Sequence, residues 1–356
     1  MRVMKCPQCG YPVWLEDLAC QTCGLDVLLD PMSLQMVPFD GGTDTEGRSL
    51  VSCANRANGC NWAAPADKAD NVGQLCFACR LTRRSPDPDD APAMRKLAVT
   101  SQSIRRLLYG LASAHIPVVP YWVREGGLAF DLLSSQSEGV GKVMIGHANG
   151  VITMDLAESL DDYREAQRLS LGEAYRTMLG HFRHEIGHYY EWQLVESVGG
   201  PLLDRCRELF GDERASYSEA IERHYREGPP KGWRDSYISE YATMHPWEDF
   251  AESFAHYQHI LDTLTTVSNG GMHIIPDEEL GFLDGEVSPR HDYLDCSFED
   301  VLRDWKWVAH LLNRANHAMG KSDLYPFSIP EPVAEKLAFV HHVVLVSRVD
   351  APFVTS

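Results

Sequence analysis

His184-Glu185-Ile186-Gly187-His188 is the most informative stretch of this chain of 356 residues. The surrounding residues 173–196 contain no proline, and apolar side chains recur there at three- and four-residue steps, which predicts a partly buried helix. In such a helix the two histidines lie one turn apart on the same face. Two imidazoles so placed, with a glutamate beside them, have the arrangement that zinc hydrolases use.

A catalytic zinc ion has three protein ligands and one open position for water, so a third ligand must come from elsewhere in the chain. The metzincin form is excluded, because Glu191 and Leu194 stand where it needs glycine and histidine. Residues 245–256 read HPWEDFAESFAH, with proline at a first helical position and apolar residues at helical spacing. This segment predicts a second helix that presents Glu248 and Glu252 one turn apart.

We assign Glu248 as the third ligand of the catalytic zinc. We assign Glu252 to accept the N–H of a ligating imidazole, which fixes the tautomer of that imidazole. The reverse assignment of the two glutamates stays open at this point, as does a solvated acidic helix face. His181 lies one turn before His184, but a fourth protein ligand would close the position that water needs.

The two motifs together resemble those of known zinc metallopeptidases. HExGH followed by Glu-x-x-Ala-Glu resembles the gluzincin arrangement, and residues 241–254 are similar to the active-site helix of anthrax lethal factor. Together with residues 182–192 and the paired N-terminal cysteines, they resemble the bacterial family of zinc-ribbon-bearing zinc-binding metallopeptidases. The resemblance spans nearly the whole chain and implies a zincin-like fold and a zinc peptidase reaction, without a substrate.

The expected mechanism gives Glu185 the role of general base, next to the metal-bound water without being a ligand. Tyr241 stands seven residues before Glu248, which matches the position of the transition-state tyrosine in the lethal-factor pattern. We therefore predict that Tyr241 donates a hydrogen bond to the developing oxyanion. Tyr189, Tyr190 and His147 are the reserve candidates for this donor; the two reserve tyrosines are expected to pack in the core.

Eight of the ten cysteines form two sets with metal-ligand spacing. The first set is two CxxC pairs, each followed by a glycine that allows a tight turn. The second set has a looser first pair. Each set of four thiolates predicts a closed structural zinc site. The two sets are Cys6, Cys9, Cys20 and Cys23, and Cys53, Cys60, Cys76 and Cys79. Sequential sets are the simpler topology, and ligands shared between the sets are the alternative.

The compartment and the partners follow from composition. The chain opens without the apolar stretch of a signal peptide, so we expect reduced cysteines and a cytoplasmic location. No uninterrupted apolar run is long enough to span a membrane. The formal net charge is −19, and residues 1–84 hold eight Lys or Arg against nine Asp or Glu, so no nucleic-acid partner is expected.

The predicted organisation is α+β, with N-terminal zinc ribbons followed by a mainly helical zincin-like metallopeptidase domain that contains a small β-sheet. We place the ribbon region at 1–82, a linker rich in proline and acid at 83–97, and the metallopeptidase domain at 98–356. Strands are predicted at 128–133, 142–145 and 151–154. Further helices are predicted at 101–114, 161–169, 212–225, 246–263, 298–319 and 332–346.

The sequence thus predicts a cytoplasmic zinc-dependent peptidase with one catalytic and two structural zinc ions. Its expected partners are a peptide or protein substrate and a protein bound at the zinc ribbons, with no membrane. Two alternatives stay open. One is an adaptor that binds partners through its ribbons and keeps a non-proteolytic zincin scaffold. The other is a zinc amidase that acts on a small or modified peptide.

Overall fold

The computed structural model describes residues 3–66, 74–137, 139, 141–159, 177–275 and 285–354. The predicted helix at 161–169 lies outside them. The described chain forms two compact units. The described residues of Ile186–Ser347 make up one unit, and those of Arg2–Gly172, Arg176–Glu185 and Arg348–Ser356 make up the other. The cysteine clusters, the small sheets and the largely helical body agree with the predicted α+β class.

The described residues of the N-terminal region form three antiparallel strand pairs and one short α-helix, α1 (Phe77–Arg80). Each pair is short, so hydrogen bonds between loops and side chains hold the region together. The guanidinium of Arg56 donates to the carbonyl oxygens of Leu18 and Val27 at 2.7 and 2.9 Å. The strands are β1 (Met4–Lys5), β2 (Pro12–Val13), β3 (Val27–Asp30), β4 (Gln35–Pro38), β5 (Leu50–Ser52) and β6 (Ala63–Pro65).

A four-stranded mixed sheet follows in the same unit. Its strands are β7 (Thr82–Arg84), β8 (Ala129–Leu133), β9 (Gly146–Ala148) and β10 (Val151–Asp155), in the order β7-β8-β10-β9. The first three strands in this order are parallel, and β9 runs antiparallel to β10. The predicted strands at 128–133 and 151–154 are confirmed by β8 and β10, which are mostly buried and carry mostly apolar side chains.

The predicted strand at 142–145 is wrong: those residues form no strand, and β9 begins at Gly146 instead. The reason is the two-residue turn between β9 and β10. Asn149 and Gly150 have φ values of 46° and 83°, and Ala148 pairs with Val151. An Asn-Gly turn of this kind matches the twist of the strands that flank it, so the strand must occupy the residues directly before the turn.

Helix α2 (Ala91–Ser113) begins ten residues before the predicted start at 101. Asp90 caps it by accepting a hydrogen bond from the backbone N–H of Ala93, and Pro92 stands in the first turn, where its missing N–H costs nothing. The predicted linker at 83–97 therefore contains the end of β7 and the start of α2. The boundary between domains stays a prediction.

Helix α3 (Met178–Tyr190) carries the HExxH residues and continues into a π-helical turn, Glu191–Glu196. Five more α-helices follow in the described part of the chain. The predicted start at 212 was too early, because Ser216 caps the helix that begins at Tyr217. The helices are α4 (Gly200–Phe210), α5 (Tyr217–Glu227), α6 (Pro246–Asn269), α7 (Phe298–Ala318) and α8 (Glu331–Val346), so those predicted at 246–263, 298–319 and 332–346 are present.

Helix α6 is the core of its unit and packs against α4, α7 and α8. Phe250, Phe254, Tyr257 and Ile260 are fully buried along its length. Polar residues of α6 are buried as well, so neighbouring elements surround this helix on most sides. Of the helices in the described part of the chain, none combines the length and the apolar character needed to cross a bilayer.

Candidate metal centres

His184 and His188 project from one face of α3, and both side chains are partly buried. The opposite face anchors the helix, because Phe182, Ile186 and Tyr190 are 1% exposed or less. The division between the two compact units falls between Glu185 and Ile186, inside this continuous helix. The spacing of the two histidines is therefore set by the helix itself, at one turn.

Glu248 meets this pair from the first turn of α6. The turn is fixed by His245, whose Nδ1 accepts a hydrogen bond from the N–H of Trp247, and by Pro246 at the first helical position. The Glu248 side chain is only 2% exposed, and its Oε2 lies 3.4 Å from Nε2 of His188. The candidate ligand atoms of His184, His188 and Glu248 all lie within 4.8 Å of one another.

This group fits a zinc ion. Two nitrogen or oxygen ligands of a tetrahedral zinc, each at about 2.1 Å from the metal, stand roughly 3.4 Å apart. The separation of His188 and Glu248 matches that value. A buried carboxylate is also costly unless a positive charge accompanies it, and a metal ion supplies that charge. Three protein ligands leave one coordination position open, which is the pattern of catalytic and not of structural zinc.

Gly187, within the HExxH motif, lets α3 and α6 approach each other closely. A Cβ atom added to Gly187 would lie 2.8 Å from Cα and 2.9 Å from the carbonyl oxygen of Ala251. Both of these are backbone atoms, which cannot rotate away. Glycine and alanine therefore let the two helices touch directly beside the candidate ligand His188 and about one turn beyond Glu248.

Tyr217 is a residue of this site that sequence reasoning missed. Its hydroxyl donates a 2.7 Å hydrogen bond to Oε1 of Glu248, from the first position of α5. The ring of Tyr217 packs against the rings of His245 and Trp247, with centroids 5.3 and 5.9 Å away. The Trp247 indole in turn donates to Oε1 of Glu196 at 3.0 Å. No local signal marks Tyr217, because it stands 31 residues from its partner and belongs to no motif.

The other three residues assigned from sequence are placed as follows. Glu185 follows His184 on α3 and is half-buried. Tyr241 begins a short 3₁₀ turn, Tyr241–Thr243, just before α6, and its ring centroid lies 6.4 Å from that of His224. Glu252 lies one turn beyond Glu248, and the group formed with the two histidines contains Glu248 and not Glu252. The catalytic roles of these residues stay predictions.

The reserve candidates lie in different surroundings. Tyr189 and Tyr190 are each 1% exposed, and the Tyr190 ring packs 5.5 Å from that of Phe254, so both are core residues as expected. Nε2 of His147 accepts a hydrogen bond of 3.1 Å from the N–H of Gly150. This bond spans the turn between β9 and β10.

Several acidic side chains lie near Glu191 and Glu248. Glu191, in the π-helical turn, is 2% exposed, and its Oε2 has no hydrogen-bond partner among the described residues. Burial raises the pKa of Glu191 well above its usual value. The negative charges of Glu196, Glu213, Glu248 and Asp249 raise it further. Both effects favour the protonated form of Glu191.

Asp249 is also a buried acid, but unlike Glu191 it has a buried cation as its partner. Nζ of Lys336, on α8, lies 2.6 Å from Oδ2 of Asp249 and also donates to the carbonyl oxygen of Ser236 at 2.8 Å. The ammonium group stands 4.2 Å from the centre of the Tyr237 ring, which adds a cation–π contact. Burial raises the pKa of Asp249 to about 7, against the opposing effect of Lys336.

The first cysteine set comes together as a four-thiol cluster. Sγ of Cys6 lies 3.7 Å from that of Cys23, and Sγ of Cys9 lies 3.6 Å from that of Cys20. Four sulfurs around a zinc ion at about 2.3 Å stand roughly 3.8 Å apart, whereas a disulfide would need about 2 Å. The cluster therefore fits a structural zinc. The glycine after each CxxC pair adopts the predicted left-handed turn, with φ of 71° at Gly10 and 75° at Gly24.

The second set forms its own cluster. Cys60 lies 3.6 Å from Cys76 and 3.7 Å from Cys79 between sulfur atoms, and the group includes Cys53. Hydrogen bonds from the other three thiols lower the pKa of Cys53, which favours its thiolate form. In the first cluster, the backbone N–H of Cys23 lowers the pKa of the Cys20 thiol to about 6. The two sets are sequential and not interleaved.

Comparison with known proteins finds one family model for each of the two parts of the chain. A family model described as "Putative zinc-binding metallo-peptidase" matches residues 93–343, and one described as "zinc-ribbon domain" matches residues 3–90. Two uncharacterized proteins from strains of Mycobacterium tuberculosis and one from Mycobacterium bovis are each 42% identical to this chain over 348 residues. The match covers 97% of this chain and 95% of each relative. No solved structure matches the chain.

Proposed function

Because this chain belongs to the zinc-binding metallo-peptidase family and carries an N-terminal zinc-ribbon domain, we propose that it is a zinc-dependent peptidase of the gluzincin type. The observation that supports this most directly is the group formed by His184, His188 and Glu248, with two imidazoles and one carboxylate within 4.8 Å. We extend the proposal to a zincin-like arrangement of the catalytic part, in which α3 and α6 supply the ligands.

When bound there, zinc lowers the pKa of a coordinated water and polarises the carbonyl of the scissile bond. Glu185 takes a proton from the attacking water as the water oxygen bonds to the carbonyl carbon. The carbon–nitrogen bond then breaks, and Glu185 returns the proton to the leaving amine. Hydrolysis first gives a carboxylic acid and an amine, and the remaining proton of the acid passes to the amine, so the products at neutral pH are a carboxylate and an ammonium group.

Three further residues orient this chemistry. Tyr217 holds Oε1 of Glu248, which leaves Oε2 directed at His188 and at the metal position. We propose that Tyr241 donates its hydroxyl hydrogen to the substrate oxygen as negative charge develops on it. Glu252 is proposed to accept the outer N–H of a ligating imidazole.

We propose three zinc ions per chain. The two cysteine clusters hold structural zincs, since four thiolates leave no open position for a substrate. A reducing compartment such as the cytoplasm suits eight thiols that must stay free to bind metal. The ribbon region is proposed to bind a protein partner, and the catalytic site to act on a peptide or protein without any role for nucleic acid or membrane.

The test is digestion of a peptide library by the metal-replete full chain, read by mass spectrometry, together with zinc analysis. We expect cleavage by the wild-type chain with three zincs bound, and none after chelation. Glu185→Gln should keep three zincs and lose cleavage, because this residue is a base and not a ligand. Glu248→Ala should keep two zincs and lose cleavage. The proposal fails if Glu185→Gln cleaves as the wild type does, or if Glu248→Ala retains all three zincs.

A further inference from the structure

A cavity of about 140 Å³ lies on the second half of α6. His256, His259 and Thr263 form one wall, and Trp305 and Ala309 of α7 form the facing wall. No motif in the sequence pointed to this place, and the zinc chemistry proposed above makes no use of it. All of these residues belong to the unit formed by Ile186–Ser347.

The aromatic side chains that line the cavity contact one another. Nδ1 of His256 shares a 2.8 Å hydrogen bond with the Tyr325 hydroxyl, and the Phe327 ring stands edge-on to His256 at 4.3 Å between centroids. Trp305 meets Tyr325 edge-on at 4.9 Å. Leu324, which is 48% exposed, stands at the rim. Rings that interlock in this way keep the cavity open in a defined shape.

The cavity continues the face of α6 that carries Glu248. With 100° per residue, positions 248, 259, 252, 263 and 256 fall in that order within an arc of about 80°. The candidate metal ligand and the three cavity residues of α6 therefore form a single stripe on one helix. At 1.5 Å per residue, His256 and His259 lie roughly 12 to 17 Å along the axis from Glu248.

We propose that this cavity binds the ring of a phenylalanine or tyrosine in the peptide substrate, an inference that rests on the peptidase function proposed above. The volume suits one six-membered ring, since an apolar cavity of about 150 Å³ accommodates benzene. An extended peptide that runs along α6 advances about 3.3 Å per residue. The distance of roughly 12 to 17 Å from Glu248 to the cavity therefore places the ring four or five residues from the scissile bond. The Thr263 hydroxyl, which lines the cavity, offers a hydrogen-bond partner to a tyrosine hydroxyl.

The first arm of the test measures binding without turnover. The probe is p-cresol, the side-chain analogue of tyrosine, and its contact with the zinc-loaded full chain is followed by ligand-observed NMR. Ala309→Phe fills the cavity, and Ala315→Phe, at an exposed position on the same helix, is the matched control. We expect binding to the wild type and to Ala315→Phe, and none to Ala309→Phe. Absence of binding to the wild type, or equal binding to Ala309→Phe, overturns the proposal.

The second arm uses peptides that carry a single phenylalanine, moved one position at a time. Their affinities are measured on zinc-loaded Glu185→Gln, so the readout does not depend on hydrolysis. A buried ring should strengthen binding by about 10- to 100-fold at one position only, and Ala309→Phe should abolish that gain. If p-cresol binds but no peptide position is favoured, the cavity is not a substrate pocket. Failure of the peptidase proposal shows separately, as lack of cleavage by the wild type.

If Ala309→Phe does not fold, as judged by circular dichroism, Ala309→Leu replaces it. This smaller side chain still takes up much of the space of a six-membered ring. It should weaken p-cresol binding by about tenfold, since a fully buried ring contributes on the order of 10- to 100-fold. Unchanged binding to Ala309→Leu would count against the cavity as the binding site.

Discussion

The hydroxyl of Tyr217 donates a 2.7 Å hydrogen bond to one carboxylate oxygen of Glu248, while the other oxygen of Glu248 lies 3.4 Å from Nε2 of His188. One oxygen is thus held by α5 and the other faces the HExxH helix. A carboxylate fixed in this way loses little rotational freedom when it binds a metal, so Tyr217 should contribute to metal affinity more than to the chemistry.

We predict that Tyr217→Phe weakens zinc binding at the histidine site by about 10- to 100-fold, as removal of a partner of a metal ligand does. Chelator competition measures the affinity. The two cysteine sites provide an internal control, because their zincs should be retained. Tyr225→Phe, at a position 67% exposed on the same helix, should change nothing. Equal zinc affinity of Tyr217→Phe and wild type would show that the hydrogen bond does not position the ligand.

The proposed oxyanion donor has a different expected effect. Tyr241→Phe should lower kcat by about 100- to 1,000-fold with KM nearly unchanged, because its hydrogen bond strengthens only as charge develops on the substrate oxygen. Zinc content should stay at three. Steady-state kinetics on a cleaved library peptide provide the measurement. If Tyr241→Phe turns over at the wild-type rate, the donor lies elsewhere, and Tyr217 becomes the first tyrosine to test.

Gly187→Ala tests the contact between α3 and α6. In an ordinary helix interior this change stabilises by about 0.5–1 kcal/mol. Here the added Cβ would lie 2.8 Å from Cα of Ala251, so overpacking should dominate and destabilise the chain by about 1–3 kcal/mol. Thermal unfolding should show a lower Tm. Gly285→Ala, whose added Cβ meets nothing within 4 Å, should leave the Tm unchanged. A Tm for Gly187→Ala at or above that of the wild type would contradict the close approach.

The buried acid Glu191 should make stability depend on pH. Burial, and then the surrounding negative charges, raise its folded-state pKa above the unfolded value of 4.5. The folded chain therefore holds a proton that the unfolded chain releases, and this contribution to stability is lost as pH rises from 4.5 through the folded pKa.

We predict that Glu191→Gln becomes progressively more stable relative to wild type above pH 5, by at most about 1.4 kcal/mol per pH unit. Urea unfolding at a series of pH values measures this difference. Glu222→Gln, at an exposed position, should track the wild type at every pH. A Glu191→Gln difference that does not grow with pH would mean that Glu191 is ionised in the folded chain.

Features that depend on local spacing could be predicted from the sequence. Consecutive helical turns bring His184 and His188 to one face, and the CxxC pairs with their glycines lead directly to the four-thiol clusters. The position of Glu248 in a first helical turn was also readable, because Pro246 marks where the helix begins.

Features that depend on tertiary contact could not be predicted. Tyr217 meets Glu248 across 31 residues, and Gly187 approaches Ala251 across 64 residues. No periodicity records such pairs, because a single side chain contributes nothing to a repeating pattern. The strand wrongly placed at 142–145 is different. Asn149 and Gly150 carried the turn signal that fixes β9, and apolar content was given more weight than the turn.

Lys336 lies far along the chain, so its contact with Asp249 forms late during synthesis. It follows its partner Asp249 by 87 residues in the chain, yet it neutralises the residue next to Glu248. During synthesis, the HExxH helix and α6 leave the ribosome before α8 exists. The carboxylate of Asp249 then lacks its buried cation, and α6 lacks one of the helices that enclose it. The buried surroundings of Glu248 are therefore complete only when α8 joins α6.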